Sequence, residues 1–384
     1  MSMKKRNLTT VIALAVLVVG ASSFAGACCA KPAAKQQNTV AKDTVPEEHQ
    51  LNLLIAGDLM QHGPQIKAAL QPDGSYNYDE CFARVKPEIE KCDVAIANFE
   101  VTLGGKPYSG YPRFSAPDDY LQAVKDAGFD ILLTANNHCL DTRRQGLERT
   151  IMMMDSLRIP HLGTYVDREE HDRHYPFLLE RNGMRVVLLN FTYDTNGIAI
   201  EQPNVVNLMD TTEIALDLLK AKALEPDVII ALPHWGIEYQ QLPSKEQQAM
   251  ADWLLSHGVD HVVGGHPHVV QPVELRNDGR NLVAWSLGNV ISNQYMPNTY
   301  GGCMVRLQLT KRGDVTTLSH SDYLLYWVSR PHDNNHQHQY RILSVDEPDS
   351  VLTPRERKQR DTIRQSMRSL MEKHSKGGIR EYAF

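Results

Sequence analysis

The chain has 384 residues, of which 42% are hydrophobic and 22% charged. This composition excludes a disordered chain, and the length allows one large domain or two ordinary ones. The formal net charge of −6 gives no electrostatic reason to expect nucleic acid as a partner.

The chain begins with the pattern of an export signal over residues 1–29. Three basic residues precede the apolar run 11–27, which is too short to be assigned as a transmembrane helix. The sequence AGAC, which ends at Cys28, resembles a bacterial lipoprotein box and makes Cys28 a candidate for lipid attachment; simple cleavage after Ala27 is the alternative. The polar segment 30–50 is typical of a tether. We therefore expect an exported protein anchored in the cell envelope.

Four cysteines remain in the body of the chain, Cys81, Cys92, Cys139 and Cys303. An exported protein could pair the first two in a disulfide, although unpaired thiols are at least as consistent with the pattern. Their spacing does not match a zinc site.

From residue 51 onward, strand-like and helix-like runs alternate. Strands are predicted over 51–57, 93–100 and 129–137, and helices over 78–92, 117–128 and 143–158. Pro87 is expected to break or kink the first of these helices. Strand–helix alternation is typical of βαβ units and of a largely parallel sheet.

The second half of the chain mixes both kinds of connection. Hairpin turns are predicted at Asn182-Gly183, Asn277-Asp278-Gly279 and Arg312-Gly313-Asp314, with helices over 211–224 and 244–257 and strands over 227–235 and 259–265. A mixed α/β domain with antiparallel edges therefore spans residues 51–330. Residues 331–384 are predicted to form a polar, histidine-containing loop and then a charged helix over 353–374.

Polar side chains follow five of the predicted strands at the point where each ends. They are Asp58, Glu100, Asn137 with His138, His234, and the pair His266 and His268. Ligands of an open α/β sheet bind at the carboxyl ends of its strands, so we expect these residues to share one site.

The last two histidines follow a pair of glycines in the sequence VVGGHPH. Two imidazoles separated by one residue can project to the same side of an extended chain. Gly264 and Gly265 are expected to let the backbone turn sharply as it leaves the strand.

The donor set indicates transition metals. Three imidazoles with an aspartate, a glutamate and an asparagine suit zinc, manganese or iron rather than calcium. Six donors exceed one tetrahedral site but fit two ions that share a bridging carboxylate, an arrangement that clamps an in-line displacement at phosphorus. A histidine beside the ligands could then protonate the leaving group.

Five motifs carry a family resemblance, in this order: LIAGDLM, IANFEVTLGG, LTANNHCLDTRRQGLERT, the block from LPHWGIEY to GGHPHVVQPVE, and AWSLGNVIS. They resemble the CapA family, the capsule and poly-γ-glutamate synthesis group within the calcineurin-like metallophosphatase superfamily. The resemblance covers about residues 50–310. It implies a four-layer α/β/β/α sandwich with a dinuclear site at its rim. It also implies export, a role linked to an anionic surface polymer, and work beside membrane polymer-synthesis proteins.

The resemblance also implies roles for individual residues. The implied metal ligands are Asp58, Glu100 as the bridging carboxylate, Asn137, His234, His266 and His268, and His138 is the implied general acid. Two positions depart from the superfamily pattern, since Met60 stands where a histidine ligand is usual and Glu100 replaces an aspartate. His62 is a possible substitute ligand at the wrong spacing.

Four neighbouring residues are weaker candidates for the substrate pocket or for support of the ligands. Asp141 either orients His138 or caps the next helix. Trp235 is a pocket or a packing residue, Glu238 a pocket or a solvated residue, and Asn289 a supporting or a turn residue.

The sequence thus predicts a surface-exported, CapA-like protein for the biosynthesis, export or retention of an anionic polymer such as poly-γ-glutamate, with two divalent transition-metal ions at a hydrolase-type site. If the protein is an enzyme, that site would hydrolyse a phosphoester or an amide bond. One alternative is a non-catalytic accessory factor that uses its metals to hold an anionic polymer, and another is a periplasmic metallophosphatase. Met60 favours the accessory role, whereas His138 favours catalysis, because binding alone does not require an acid.

Overall fold

The computed structural model describes residues 47–331 and 339–384. Within these two ranges, no helix combines the length and the apolar character that crossing a lipid bilayer requires. The predicted export signal, Cys28, most of the polar tether and most of the histidine-containing loop lie outside the described residues. Those predictions therefore stay predictions.

The strands of the described residues follow one another in this order: β1 Glu48–Leu59, β2 Val94–Phe99, β3 Ile131–Leu133, β4 His161–Leu162, β5 Thr164–Tyr165, β6 Phe177–Arg181, β7 Met184–Thr192, β8 Val205–Val206, β9 Val228–His234, β10 His261–Val263, β11 Val273–Arg276, β12 Asn281–Ala284, β13 Asn289–Ile291, β14 Gly301–Arg312, β15 Val315–Ser329, β16 Arg341–Ser344 and β17 Arg380–Glu381. The helices in the same part of the chain are α1 Gly63–Ala69, α2 Asp79–Phe82, α3 Lys86–Ile89, α4 Asp118–Asp126, α5 Arg143–Ser156, α6 Arg168–His174, α7 Thr211–Ala223, α8 Lys245–Ser256 and α9 Pro354–His374.

The larger sheet has nine strands in the spatial order β16-β15-β14-β1-β2-β3-β4, with β13 beside β1 and β17 beside β15. Strands β1 to β4 run parallel, and β14, β15 and β16 add antiparallel pairs. Leu53 of β1 pairs with Val94 of β2, and Asn98 of β2 pairs with Leu133 of β3. The carboxyl ends of β1, β2 and β3 therefore lie at one edge of this sheet.

The smaller sheet has six strands in the order β11-β12-β10-β9-β7-β6. Strands β7, β9, β10 and β12 are parallel, and β6 and β11 join as antiparallel hairpin partners. The β6–β7 turn lies at Asn182 and Gly183, whose φ angles of 49° and 73° are those of a type I′ turn. This confirms the prediction of parallel strands flanked by antiparallel edges.

An apolar core fills the space between the two sheets. It joins Leu53 and Ile96 of the larger sheet to Leu188 and Ile230 of the smaller one. All four side chains are at most 1% exposed, so both sheets bury one face in this layer.

Helices cover the outer faces of both sheets. Because side chains of a strand alternate in direction, Leu54 points away from Leu53 and packs with Tyr120 and Leu121 of α4. On the other side, Ile214 of α7 and Leu254 of α8 pack on the smaller sheet. The result is the four-layer α/β/β/α sandwich that the family resemblance implied.

The charged C-terminal helix α9 packs on the domain rather than standing in solvent. Its side chains Ile363 and Met367 are at most 1% exposed. They lie so close to Gly301 that a Cβ atom there would be 2.6 Å from Ile363. The absence of a side chain at Gly301 is therefore what lets the helix approach β14.

Three local predictions need correction or completion. The predicted helix 78–92 is two short helices, and Pro87 lies in the first turn of the second, where a missing N–H costs no helical hydrogen bond. The predicted strand 129–137 is only three residues long, because the chain leaves the sheet after Leu133. All four cysteines of the described residues are free, including Cys81 and Cys92.

Candidate metal centre

The candidate site lies where the carboxyl ends of the two sheets meet. Asp58 is the penultimate residue of β1, Glu100 directly follows β2, and His234 is the last residue of β9. All three are at most 2% exposed, so the edge between the sheets is closed over by the chain. The six candidate ligands that the sequence placed at strand ends converge on one buried cluster, and His138 lies beside it.

Two of the three overlapping groups of potential ligands in the described residues share Glu100, and the third joins Glu238 to His266 and His268. Of the first two, one joins Glu100, His234 and His266, and the other joins Asp58, Glu100 and His268; in each group the ligand atoms lie within 4.8 Å of one another. Glu100 belongs to both groups, and its Oε1 atom lies 3.6 Å from His234 Nε2 and 3.8 Å from His268 Nε2. Glu100 would therefore supply a donor to each of two ions if both groups were occupied.

A neutral oxygen donor completes the first group. Asn137 Oδ1 lies 2.8 Å from His234 Nε2, the nitrogen that faces Glu100. In the second group, His268 Nδ1 lies 3.1 Å from the side-chain oxygen of Asn289, to which it can donate. That contact leaves His268 Nε2 free to face Glu100, as is usual for a histidine that binds a metal.

The backbone around the paired histidines differs from the prediction. Strand β10 ends at Val263, and His266 and His268 have φ angles of +97° and +58°, so they do not alternate along an extended strand. Their rings still lie together, with centroids 5.8 Å apart. Left-handed backbone at two non-glycine residues is strained, and such strain accumulates at functional sites.

The two preceding glycines serve close packing rather than the predicted sharp turn. A Cβ atom at Gly264 would lie 2.2 Å from the indole nitrogen of Trp235. A Cβ atom at Gly265 would lie 2.8 Å from Asp58 Oδ1. Side chains at these positions would push the core and the ligand carboxylate away, so glycine is required by space.

The site contains buried polar atoms that lack partners among the described residues, namely Glu100 Oε1 and His266 Nδ1. Burial and then the negative charge of Asp58 raise the pKa of Glu100 well above its ordinary value. Burial lowers the pKa values of His234 and His266 well below theirs, so both imidazoles are neutral near pH 7. Neutral imidazoles and an open carboxylate oxygen are the donors that a divalent ion requires.

His138 lies beside the cluster with its ring held from one side. Its Nδ1 atom is 2.8 Å from Asp141 Oδ2, which also accepts a hydrogen bond from the backbone N–H of Phe114. Helix α5 begins after Thr142 and receives no side-chain cap, so Asp141 orients His138 instead of capping the helix. The Nε2 atom of His138 is thereby left for other contacts.

The Met60 position supplies no metal ligand. Met60 is 1% exposed and packs in the apolar cluster on the outer face of the larger sheet. His62 does not replace it, because none of the potential ligand groups in the described residues includes His62. The His62 ring instead contacts Phe114 edge-on, and Phe114 contacts His138 in the same way.

The remaining weaker candidates are separated by the structure. Trp235 is 1% exposed, and its indole N–H donates to the carbonyl of Trp285, so it is a packing residue of the core. Glu238 is exposed, yet its carboxylate lies within 4.8 Å of ring nitrogens of His266 and His268. Asn289 is fully buried beside His268.

Two asparagines that the sequence analysis left without a role connect the ligands. The Asn98 amide donates to Asp58 Oδ1 at 2.7 Å and to Glu100 Oε2 at 3.3 Å. Asn136 donates to Asn98 Oδ1 and accepts from the backbone N–H of His138. Asn98 and Glu100 are two residues apart at the end of β2, and this period-2 spacing is the signal that could have identified Asn98.

Comparison with known proteins supplies the family. The family described as "Bacterial capsule synthesis protein PGA_cap" matches residues 52–294. The chain belongs to this family. The stretch that matches the PGA_cap family contains every candidate ligand, from Asp58 to His268, together with Asn289.

Two relatives of this chain carry names that refer to capsule or PGA biosynthesis. "Capsule biosynthesis protein CapA" of Bacillus anthracis is 29% identical over 279 residues, which cover 70% of this chain and 66% of that protein, just under two thirds of its length. "PGA biosynthesis protein CapA" of Bacillus subtilis (strain 168) is 25% identical over 320 residues, which cover 81% of this chain and 79% of that protein.

Solved structures match this chain at lower identity. A calcineurin-like phosphoesterase, YfkN from Bacillus subtilis, matches with 17% identity and a TM-score of 0.44 over 85% of this chain and 99% of that chain. A putative 5′-nucleotidase from Staphylococcus aureus matches with 14% identity and a TM-score of 0.47 over 82% of this chain and 58% of that chain.

Proposed function

We propose that this capsule synthesis family protein is a metal-dependent hydrolase that acts on an anionic surface polymer such as poly-γ-glutamate or on a phosphoester. The observation that carries the proposal is the pair of potential ligand groups that share Glu100. The names of the two CapA relatives support the polymer as the class of substrate.

Two divalent ions fit the donors of the site. Glu100, His234, His266 and Asn137 would hold one ion, and Asp58, Glu100 and His268 would hold the other. Manganese, zinc and iron suit this mixture of imidazole and carboxylate. When bound, such ions polarise a scissile carbonyl or phosphoryl group and activate water for attack.

His138 delivers a proton in this proposal. In the form with protons on both ring nitrogens, His138 donates from Nδ1–H to Asp141, which fixes the ring, and gives its Nε2 proton to the leaving group. Asn196 adds to the positioning, because its amide group lies 3.1 Å from Asn137 and 3.4 Å from His138. The acid and a neighbouring ligand are thus held by one side chain.

The first test is hydrolysis by the purified full chain loaded with Mn²⁺ or Zn²⁺. The substrates are poly-γ-glutamate, followed by chain length, and p-nitrophenyl phosphate mono- and diesters, followed by absorbance. We expect turnover that EDTA abolishes and that His138→Asn lowers by about a hundredfold or more, while metal content is retained. His374→Asn, at an exposed histidine of α9, is the matched control.

The outcomes of this assay separate the candidate functions. Turnover of the phosphate esters alone would replace the polymer hydrolase with a phosphatase. Metal binding without turnover of any substrate would contradict hydrolysis and leave the accessory role.

Met60 favours a second candidate function, that of a metal-containing accessory factor that holds the polymer without cleaving it. The buried methionine leaves the Asp58–Glu100–His268 group with one ligand fewer than the other group. Binding of poly-γ-glutamate that requires metal but not His138 would support this role. This binding can be measured by sedimenting the polymer together with the parent protein and, in a separate sample, with His138→Asn.

We also propose that the protein is exported, anchored at Cys28 and placed beside membrane polymer-synthesis proteins. The support is the export-signal pattern of residues 1–29 and the small residues before Cys28. Metabolic labelling with a fatty-acid analogue should mark the parent and Cys29→Ala but not Cys28→Ala. Labelling of Cys28→Ala at the parent level would contradict the anchor.

A further inference from the structure

Glu238 occupies an unusual position for an exposed carboxylate. Its oxygen lies within 4.8 Å of ring nitrogens of His266 and His268, both of which are at most 2% exposed. The chain between His234 and Glu238 is short, so the same loop carries a candidate ligand at one end and this carboxylate at the other. Glu238 thus lies on the solvent side of the metal centre.

The loop that carries Glu238 is held in place by neighbouring structure. Gly236 has a φ of +95°, and a Cβ atom there would lie 2.7 Å from the Gln247 side chain, so the turn needs glycine. After Glu238, the backbone N–H of Tyr239 donates to the carbonyl of Pro267 at 2.8 Å. That bond ties the loop to the segment between His266 and His268.

The second ligand group needs a further donor. The Glu100–His234–His266 group has Asn137 as its fourth donor, whereas the Asp58–Glu100–His268 group has no donor at the Met60 position. Four is the smallest coordination number that zinc commonly adopts in proteins. A carboxylate near His268 would restore it.

Unpartnered atoms in the cluster point to the same conclusion. His266 Nδ1 and Glu100 Oε1 are buried and have no hydrogen-bond partner among the described residues. Two divalent ions carry four positive charges, and the buried carboxylates Asp58 and Glu100 offset two of them. The charge of Glu238 lowers the remaining excess, and its exposure allows the side chain to leave the centre.

We propose that Glu238 is an exchangeable metal ligand, which completes the coordination of the ion at His268 and gives up that place to an anionic group of the substrate. The inference rests on the proposed function, because it requires divalent ions at both ligand groups. It specifies a carboxylate or phosphate as the group that replaces Glu238.

The test is titration of the metal-free full chain with Mn²⁺, followed by calorimetry and by the electron paramagnetic resonance signal of free Mn²⁺. The variants are Glu238→Gln and Glu238→Ala, with Glu372→Gln on the exposed face of α9 as the matched control. We expect two equivalents in the parent and in the control. In both Glu238 variants, one equivalent should bind at least about tenfold more weakly.

A second measurement uses inorganic phosphate at saturating Mn²⁺. If Glu238 competes with the anion, Glu238→Ala should bind phosphate about threefold more tightly than the parent does. Loss of a merely structural residue would not tighten anion binding. Equal thermal stability of the metal-free proteins shows that the variants are folded.

The outcomes distinguish this inference from the proposed function. A parent that binds two equivalents, with unchanged affinities in both Glu238 variants, overturns the role of Glu238 and leaves the dinuclear site intact. A parent that binds no Mn²⁺ and no Zn²⁺ overturns both.

Discussion

Two buried glutamates of this protein show how differently a fold can treat the same side chain. Glu356, at the start of α9, is 5% exposed, and its Oε1 atom accepts hydrogen bonds from Ser329 and Arg341 at 2.6 Å. Glu100, in the candidate metal centre, is fully buried, and its Oε1 atom has no hydrogen-bond partner among the described residues.

The pKa values of the two carboxyls move in opposite directions as a result. Burial alone would raise the pKa of Glu356, but hydrogen bonds from Ser329 and Thr353 and the charge of Arg341 lower it to about 2. Burial and the charge of Asp58 raise the pKa of Glu100. A structural carboxylate such as Glu356 has its full set of hydrogen-bond donors. A buried carboxylate that lacks donors destabilises the folded protein, and such groups are typical of binding sites.

The largest expected effect is on metal binding by Glu100→Gln. Removing the shared carboxylate should weaken metal binding by more than about a hundredfold, since loss of an outer partner alone costs about 10- to 100-fold. Elemental analysis after dialysis should find at most one equivalent. Glu356→Gln is the matched buried control and should retain the parent's metal content; equal losses in both variants would erase the distinction between the two glutamates.

Asp141 is a buried carboxylate that, like Glu356, has hydrogen-bond partners, but one of its partners is the candidate acid His138. If His138 is the acid, Asp141→Asn should lower kcat by about tenfold to a hundredfold, because the ring loses its orienting acceptor. The pH profile of kcat should change as well, while metal content stays at the parent level. An unchanged kcat in an active preparation would contradict the role of the pair.

For Glu356→Gln we expect the free energy of unfolding to fall by about 2 kcal/mol at pH 7, because charge-assisted hydrogen bonds are lost. The depressed pKa means that this contribution is present above the ordinary value of 4.5 and disappears as the pH falls toward about 2. Urea unfolding of parent and variant at several pH values measures the difference. A gap as wide at pH 3 as at pH 7 would contradict the assignment.

The smallest expected effect concerns the metal-free protein. Without ions, Glu100 is fully buried beside Asp58 and its Oε1 atom has no hydrogen-bond donor among the described residues, so Glu100→Gln should stabilise the chelator-treated protein by about 1 kcal/mol. Added Mn²⁺ should reverse the order, since only the parent then gains binding energy. Thermal unfolding with EDTA and with Mn²⁺ tests both signs; a variant less stable in EDTA would show that the Glu100 charge is compensated by other means.

Much of the site could be predicted because the carboxyl ends of parallel strands lie at the same edge of a sheet. Asp58, Glu100 and His234 stand directly at strand ends, so identifying the strands was enough to group these residues. The same reasoning could not separate Trp235 from Glu238, which lie in one loop. Trp235 packs into the core and Glu238 faces the candidate metal centre, and no periodicity in a loop distinguishes those directions.

The backbone geometry of His266 and His268 could not be predicted from the sequence either, because it depends on contacts with residues elsewhere in the chain. His266 and His268 have positive φ angles, and their segment is held by contacts with Asp58, Tyr239 and Asn289, which come from other parts of the chain. The glycines before them suggested a turn, but they are required by the closeness of Trp235 and Asp58.

The sequence by itself determined the alternation of strands and helices, the mixed sheets and the residue types that meet at their edge, because hydrophobic periodicity and strand ends are local properties. Only the tertiary structure decided that Nε2 of His234 and of His268 faces Glu100, that Met60 supplies no ligand, and that Glu238 approaches from solvent. Those features depend on how two sheets pack against each other, and the free energy of that packing arises from contacts between residues far apart in the chain.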